Sequence, residues 1–143
     1  MAIQYKDRLS AYAVGRRVNM EEWNAFTCTK EGAGTLAFGV PVMSGTATDS
    51  CVILDATTGR NVLGITEASV VLPHAGDAYQ QYDNVAVCEV GVIGVLLGAD
   101  VTRGAQARFN TANGTWTGAA QSATVVTIPG AQFDEAGSSG EVG

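Results

Sequence analysis

Few residues of this chain are suited to chemistry, and they are scattered. One histidine, His74, and three cysteines, Cys28, Cys51 and Cys88, are the side chains that titrate nearest neutrality or act readily as nucleophiles. A Cys88–His74 pair would give a thiol nucleophile with its base. Nothing in the spacing joins the two, and a turn histidine plus a core cysteine fits the same residues. Asp49, Asp55, Asp77 and Asp83 offer oxygen ligands for a hard cation. They match no calcium-loop spacing, and each falls at a turn, where Asp bonds its own backbone. Gly32-Ala33-Gly34 lacks the strand–turn–helix context of a dinucleotide loop, and Ser138-Ser139-Gly140 has neither a lysine nor a nucleophile elbow. The expectation is therefore no catalytic set, no metal site and no cofactor. The odd cysteine count, without metal-ligand spacing and with Cys51 and Cys88 in apolar runs, reads as buried thiols in a reducing compartment.

Chemistry of contact is better represented. Five of the eight basic residues, Lys6, Arg8, Arg16, Arg17 and Lys30, lie in the first thirty positions, against three acids there. The rest of the chain has Arg60, Arg103 and Arg108 against eleven acids. Arg16-Arg17 is either a carboxylate or phosphate clamp or a solvated pair. Tyr12, Trp23 and Phe26 lie nearby, and Tyr, Trp and Arg are the types that dominate binding hot spots. Arg8, Tyr12, Arg16, Arg17, Trp23 and Phe26 are accordingly the candidate partner-binding residues. A net charge of −6 argues against nucleic-acid binding by the body. The basic segment is too weakly and irregularly charged for a nucleic-acid tail, which leaves acidic groups on a protein.

These residues are positioned by a chain of one-domain length, 143 residues. Charged residues make up 15%, well below the usual ~25%. A surface so poor in charge suits one largely covered by partners. The N-terminus has no continuous apolar stretch and does not read as a signal peptide. The apolar run Val90 to Ala99 is broken by Gly91, Gly94 and Gly98 and is far short of a membrane span of ~20 residues. A cytoplasm-like setting follows.

Residues 1–31 read as an extended arm, with one helical turn opened by Asn19 and boxed by Glu22. Residues 32–130 read as a β body and 131–143 as a small, acidic tail that adds a short strand or stays loose. Strands are expected at Thr35 to Met43, with Pro41 at an edge or bulge, and at Cys51 to Leu54, Asn61 to Ile65, Ala68 to Leu72 and Ala78 to Tyr82. They continue at Val85 to Val90, Val92 to Leu97, Val101 to Thr111 and Thr124 to Ile128. Asn113-Gly114 predicts a two-residue hairpin turn that pairs Thr111 with Trp116. Ala107, Phe109 and Trp116 then share one face, and Arg108, Asn110, Thr115 and Thr117 the other. Short strands, many glycines and β-branched residues without a helical period define an all-β sandwich or barrel.

The order of features resembles a known family. It runs from Trp23-Asn-Ala-Phe26 and Gly34-Thr-Leu-Ala-Phe-Gly-Val40 through Val62-Leu-Gly-Ile65 and Tyr82-Asp-Asn-Val-Ala-Val-Cys88. Gly91-Val-Ile-Gly-Val95, Val101-Thr-Arg-Gly104 and Pro129-Gly-Ala-Gln-Phe133 complete it. This is similar to the structural cement (capsid decoration) proteins of tailed bacteriophages. The resemblance implies a jelly-roll-like β-sandwich with an extended N-terminal arm. It also implies a non-enzymatic protein, assembled in the host cytoplasm, on the outer surface of the virion capsid. Its partners would be the major capsid protein and neighbouring copies, as a homodimer or homotrimer, with no direct nucleic acid and no membrane. The alternative is a carbohydrate-binding or tail-fibre module, with Trp116 and Tyr79 or Tyr82 as its sugar platform.

Overall fold

The computed structural model describes residues 14–18, 23–55, 61–68 and 78–143. Ten strands carry the described fold: β1 Asn24–Lys30, β2 Leu36–Ala37, β3 Pro41–Ser44, β4 Ser50–Ile53, β5 Val62–Thr66, β6 Ala78–Tyr79, β7 Asn84–Val90, β8 Gln106–Asn110, β9 Thr115–Thr117 and β10 Val125–Gln132. The all-β class expected from β-branched and glycine-rich sequence is observed. Five strands close into a barrel in the order β1-β4-β3-β5-β7. A sheet β10-β8-β9 and a two-stranded ladder β2-β6 flank it. Among the described residues the ladders thus draw a barrel with a flanking sheet.

The barrel's inner residues are small or β-branched. Val42, Cys51, Val85 and Val87 are fully buried, as suits a narrow five-strand interior. Barrel and flanking sheet share one core. Trp116 lies between them, with its indole N–H donating to Gly39 O at 2.7 Å and its ring edge-on to Phe109 at 5.6 Å between centroids. Phe38 and Tyr79 make a second edge-on pair at 5.3 Å. Such pairs add ~0.5–1.5 kcal/mol beyond the area they bury.

Two expectations need correcting, the end of the arm and the hairpin turn, and two left open, Pro41 and the tail, are decided. Residues 24–30, read as part of the arm, form β1, which pairs with β7 on one side and parallel to β4 on the other. Its inward residues explain why sequence misplaced it. Lys30 is buried on the core side, and its ammonium is satisfied by Gly32 O at 2.7 Å, so a charged residue occupies a position that would normally announce itself as apolar. Second, Pro41 opens β3, a strand paired on both sides. The lack of an N–H is tolerated at a strand's first residue, and the register shift toward β5 falls next to it, between Val42 and Met43.

Third, the hairpin turn has four residues. Asn110 pairs with Thr115 and Phe109 with Trp116. The Asn110 carboxamide accepts from Ala112 N at 3.0 Å, and Gly114 N donates to Asn110 O at 2.9 Å. The register moves by two, an even number, so both predicted faces survive. Fourth, the tail is tied down. Val95 and Gly143 exchange two backbone bonds of 2.8 Å, Leu97 N donates to Glu141 O at 2.9 Å, and Val101 and Gly137 pair likewise. The expected strand Val92 to Leu97 is this ribbon, held by single bridges instead of a continuous ladder. The predicted helical turn at Asn19, the strand Ala68 to Leu72 beyond its first residue, and His74 lie outside the described residues.

Candidate functional site

Residues 14–18 are laid along the ribbon 92–94. Gly15 N donates to Gly94 O at 2.8 Å, Gly94 N to Arg16 O at 3.0 Å and Val18 N to Val92 O at 3.0 Å. On its other side, Gly15 O accepts from Ala68 N at 2.8 Å. The close approach requires glycine. Gly15 has φ +76°, and a Cβ there would sit 2.8 Å from Phe38 Cβ and 2.9 Å from Ala68 N. Gly39, at φ +69°, would likewise press a Cβ onto Val14 and Gly15. The segment is therefore a fixed root.

The structure brings two of the candidate binding residues together. The Arg17 guanidinium lies 4.1 Å from the centroid of the Trp23 ring, a cation–π contact. The same ring lies against Gly91, where a Cβ would collide with the indole. Arg16 is exposed beside them. Phe26 is separate: it is half-buried on β1, packed against the core, so much of its apolar surface is used within the chain. Arg8 and Tyr12 lie outside the described residues.

Below this stack are Glu67 and Cys88. One Glu67 carboxyl oxygen is buried without a hydrogen-bond partner. Burial pushes its pKa up, and Arg17 opposes the shift. Cys88 is pushed up to about 11 by burial, with Glu67 adding to the effect. Its thiol is thus protonated at neutrality, the wrong state for a nucleophile. The Cys28 thiol, on β1 beside β4, is pushed up by its bond to Cys51 and by burial. All three cysteines are free and buried.

No group of three metal-type ligands gathers among the described residues. Asp83 accepts from Gln80 N at 2.6 Å, the turn-capping use expected of it, and Asp77 lies outside the described residues. The sugar platform loses its rings. Trp116 is 2% exposed and Tyr79 1%; only Tyr82 of the three projects into solvent.

An apolar cavity of about 380 Å³ opens beside the root, floored by Val18, Val92, Trp116 and Phe133 and rimmed by Asp134 and Glu135. Among the described residues no basic one lines it. Sequence reading missed it, since its walls come from segments far apart in the chain: the root, β5, the ribbon, β8, β9, β10 and the tail. It also missed Glu31. That carboxylate accepts from Thr46 N at 2.9 Å, Ala47 N at 3.1 Å, Thr46 Oγ1 at 2.5 Å and Ser50 Oγ at 2.6 Å. These bonds, Ser50 first, hold its pKa near 2. The run of Ser and Thr between Ser44 and Ser50 was the available signal.

Fold and site together describe a β-barrel that carries a basic, aromatic root and uses Glu31, Lys30 and Asp83 in structural roles. The fold is that of a phage capsid component. A chain in the solved capsid of Myoviridae phage XM1 matches with a TM-score of 0.73 at 18% identity, over 99% of this chain and 94% of that one. The whole sequence, residues 1–143, matches the family described as structural cement protein (E217 gp24/Pam3 gp6), and the chain belongs to that family. No curated protein sequence matches it. Its role is accordingly structural, in a phage capsid.

Proposed function

We propose that this protein binds the outer surface of a phage capsid, where it bridges and stabilises adjacent major capsid subunits without catalysing a reaction. The observation that carries the reading is the family match along the entire chain. The basic N-terminal segment supports it: five of eight bases lie in the first thirty residues, and their root is pinned to the barrel by glycine-mediated backbone pairing. A fixed root gives the segment a defined starting point, which reduces the ordering entropy lost when it docks. Arg8, Tyr12 and Arg16 are the gripping residues in this reading, and Arg17, Trp23 and Phe26 hold the root and the first strand. Neighbouring copies multiply weak contacts over a shell. Binding takes place in the host cytoplasm during or after shell expansion.

The test is the stability of heads assembled with and without the protein. Added protein should pellet with bare heads and raise the temperature at which they release DNA. Heads whose release temperature is unchanged at full occupancy would sink the stabilising role.

A further inference from the structure

The end of the barrel away from the root holds two residues in a backbone conformation that most side chains avoid. Among the described residues, Asp49 at φ +56° and Tyr82 at φ +67° are the two non-glycine positions with positive φ. A short polar side chain such as that of Asp or Asn tolerates this region, whereas a bulky ring is strained in it. Glycine or asparagine would suit position 82 better, so tyrosine there works against folding stability. The ring gives little back within the chain. Tyr82 is 76% exposed, more than any other large apolar side chain among the described residues. Tyr79, three positions earlier, is the contrast: it is buried, and its hydroxyl donates to Glu67 O at 2.7 Å. A strained residue that serves no local contact points to a use outside the chain.

The turn that carries the ring is firmly held. Tyr82 N donates to Lys30 O and Lys30 N to Asp83 O, both at 3.0 Å, which clips the turn to the end of β1. Within it, Gln80 N donates to the Asp83 carboxylate at 2.6 Å and Asp83 N to Gln80 O at 3.1 Å. Asp49 is tied to the same end, since its carbonyl accepts from Thr29 N at 2.8 Å. A tyrosine on a fixed base has few torsions left to lose on binding, the profile of an interface anchor. The charge around it has one sign. Lys30 is buried with its ammonium on Gly32 O, while Asp49 is exposed. The surface fits a protein partner that offers an apolar pocket edged by a base. Its place matters as well. Arg17 and Trp23 lie at the Asn24 end of β1 and Tyr82 at the Lys30 end, and a strand of this length separates them by roughly 20 Å. A protein that joins two subunits needs two separated grips, and the root end serves only one.

We propose that Tyr82 is a second capsid contact: its ring seats in an apolar pocket of a major capsid subunit, with an arginine or lysine of that subunit facing Asp49, so that the two ends of the barrel engage adjacent subunits. This rests on the capsid-binding reading above and adds to it the residue that completes the bridge.

The test separates folding from docking. Tyr82→Gly and Tyr82→Asn both accept positive φ, so each should match or exceed wild type in urea midpoint. On heads assembled without the protein, both should lose about thirtyfold in apparent affinity, the size of a hot-spot truncation. Tyr82→Phe, which keeps the ring, should lose far less, and Asp49→Asn should weaken the salt dependence of pelleting. Benzoylphenylalanine placed at position 82 should photocross-link to the major capsid subunit. Glycine and asparagine variants that pellet as well as wild type would overturn the proposal and leave the capsid reading standing. A cross-link confined to a second copy of this chain would overturn it too, by assigning the ring to contacts between copies. Wild type that fails to pellet would reject the capsid reading and this proposal with it.

Discussion

The two ends of β1 are secured by different physics. At Asn24 the chain enters from Trp23, whose ring meets both the Arg17 guanidinium and the bare backbone of Gly91. Beside it, the root is zipped to the ribbon 92–94 by amide bonds that need glycines. At Lys30 the chain leaves into Glu31, whose carboxylate gathers four donors from the β3–β4 loop. The first end depends on shape and on backbone pairing. The second depends on one ionised group. A polar hook suffices where the barrel merely has to stay closed. Close backbone packing is used where the segment 14–18 is laid against the ribbon.

The comparison can be broken from the middle or from either end. The largest effect is expected at the shared floor. Trp116→Ala removes the Phe109 contact and the bond to Gly39 O, at about 3–5 kcal/mol, and lowers the urea midpoint of the whole domain. Next is Gly15→Ala, which adds a methyl at positive φ against Phe38 and Ala68. It should cost about 2 kcal/mol from strain and overpacking, with exchange of the Gly15 and Val18 amides speeding up before that of β7. Unchanged exchange there would mean that the root does not depend on close approach.

Glu31→Gln should be milder and conditional on pH. Glu31 is held to about 2, below its ordinary 4.5, because its charged form collects the loop's donors. Its stabilisation is therefore complete above about pH 4.5 and fades as pH falls toward 2. Wild type should exceed the variant in urea midpoint at pH 7, and the gap should close at pH 2. A gap constant across that range would assign the loop's order to something else. Smallest is Arg17→Gln. It removes a cation–π contact of ~0.5–1 kcal/mol and shifts the emission of Trp23. It also raises the Glu67 pKa further, because the charge opposing its burial is gone.

Much of this was legible in the sequence, for identifiable reasons. β-Branched residues punctuated by glycine declare strands whatever their partners, and the two faces of the β8–β9 hairpin survived an error of register because that error was even. The residues singled out as Arg17 and Trp23 do meet. Gly91, against which Trp23 lies, was read only as a break in an apolar run, because a glycine's empty side does not announce what fills it. β1 was missed because Lys30 points inward. The tail's pairing was left open because Gly137 and Gly143 bond through backbone that carries no side-chain pattern. Glu31 looked like the end of an arm, since only the folded loop brings four donors to it.

The central claim is that a basic segment leaving a fixed root holds this protein on its shell. The direct measurement compares pelleting of the full chain with that of a chain lacking residues 1–13, on heads assembled without the protein. The truncated chain should keep its barrel, shown by an unchanged urea midpoint, and lose at least tenfold in apparent affinity. Equal occupancy by the two chains across the titration would contradict the account.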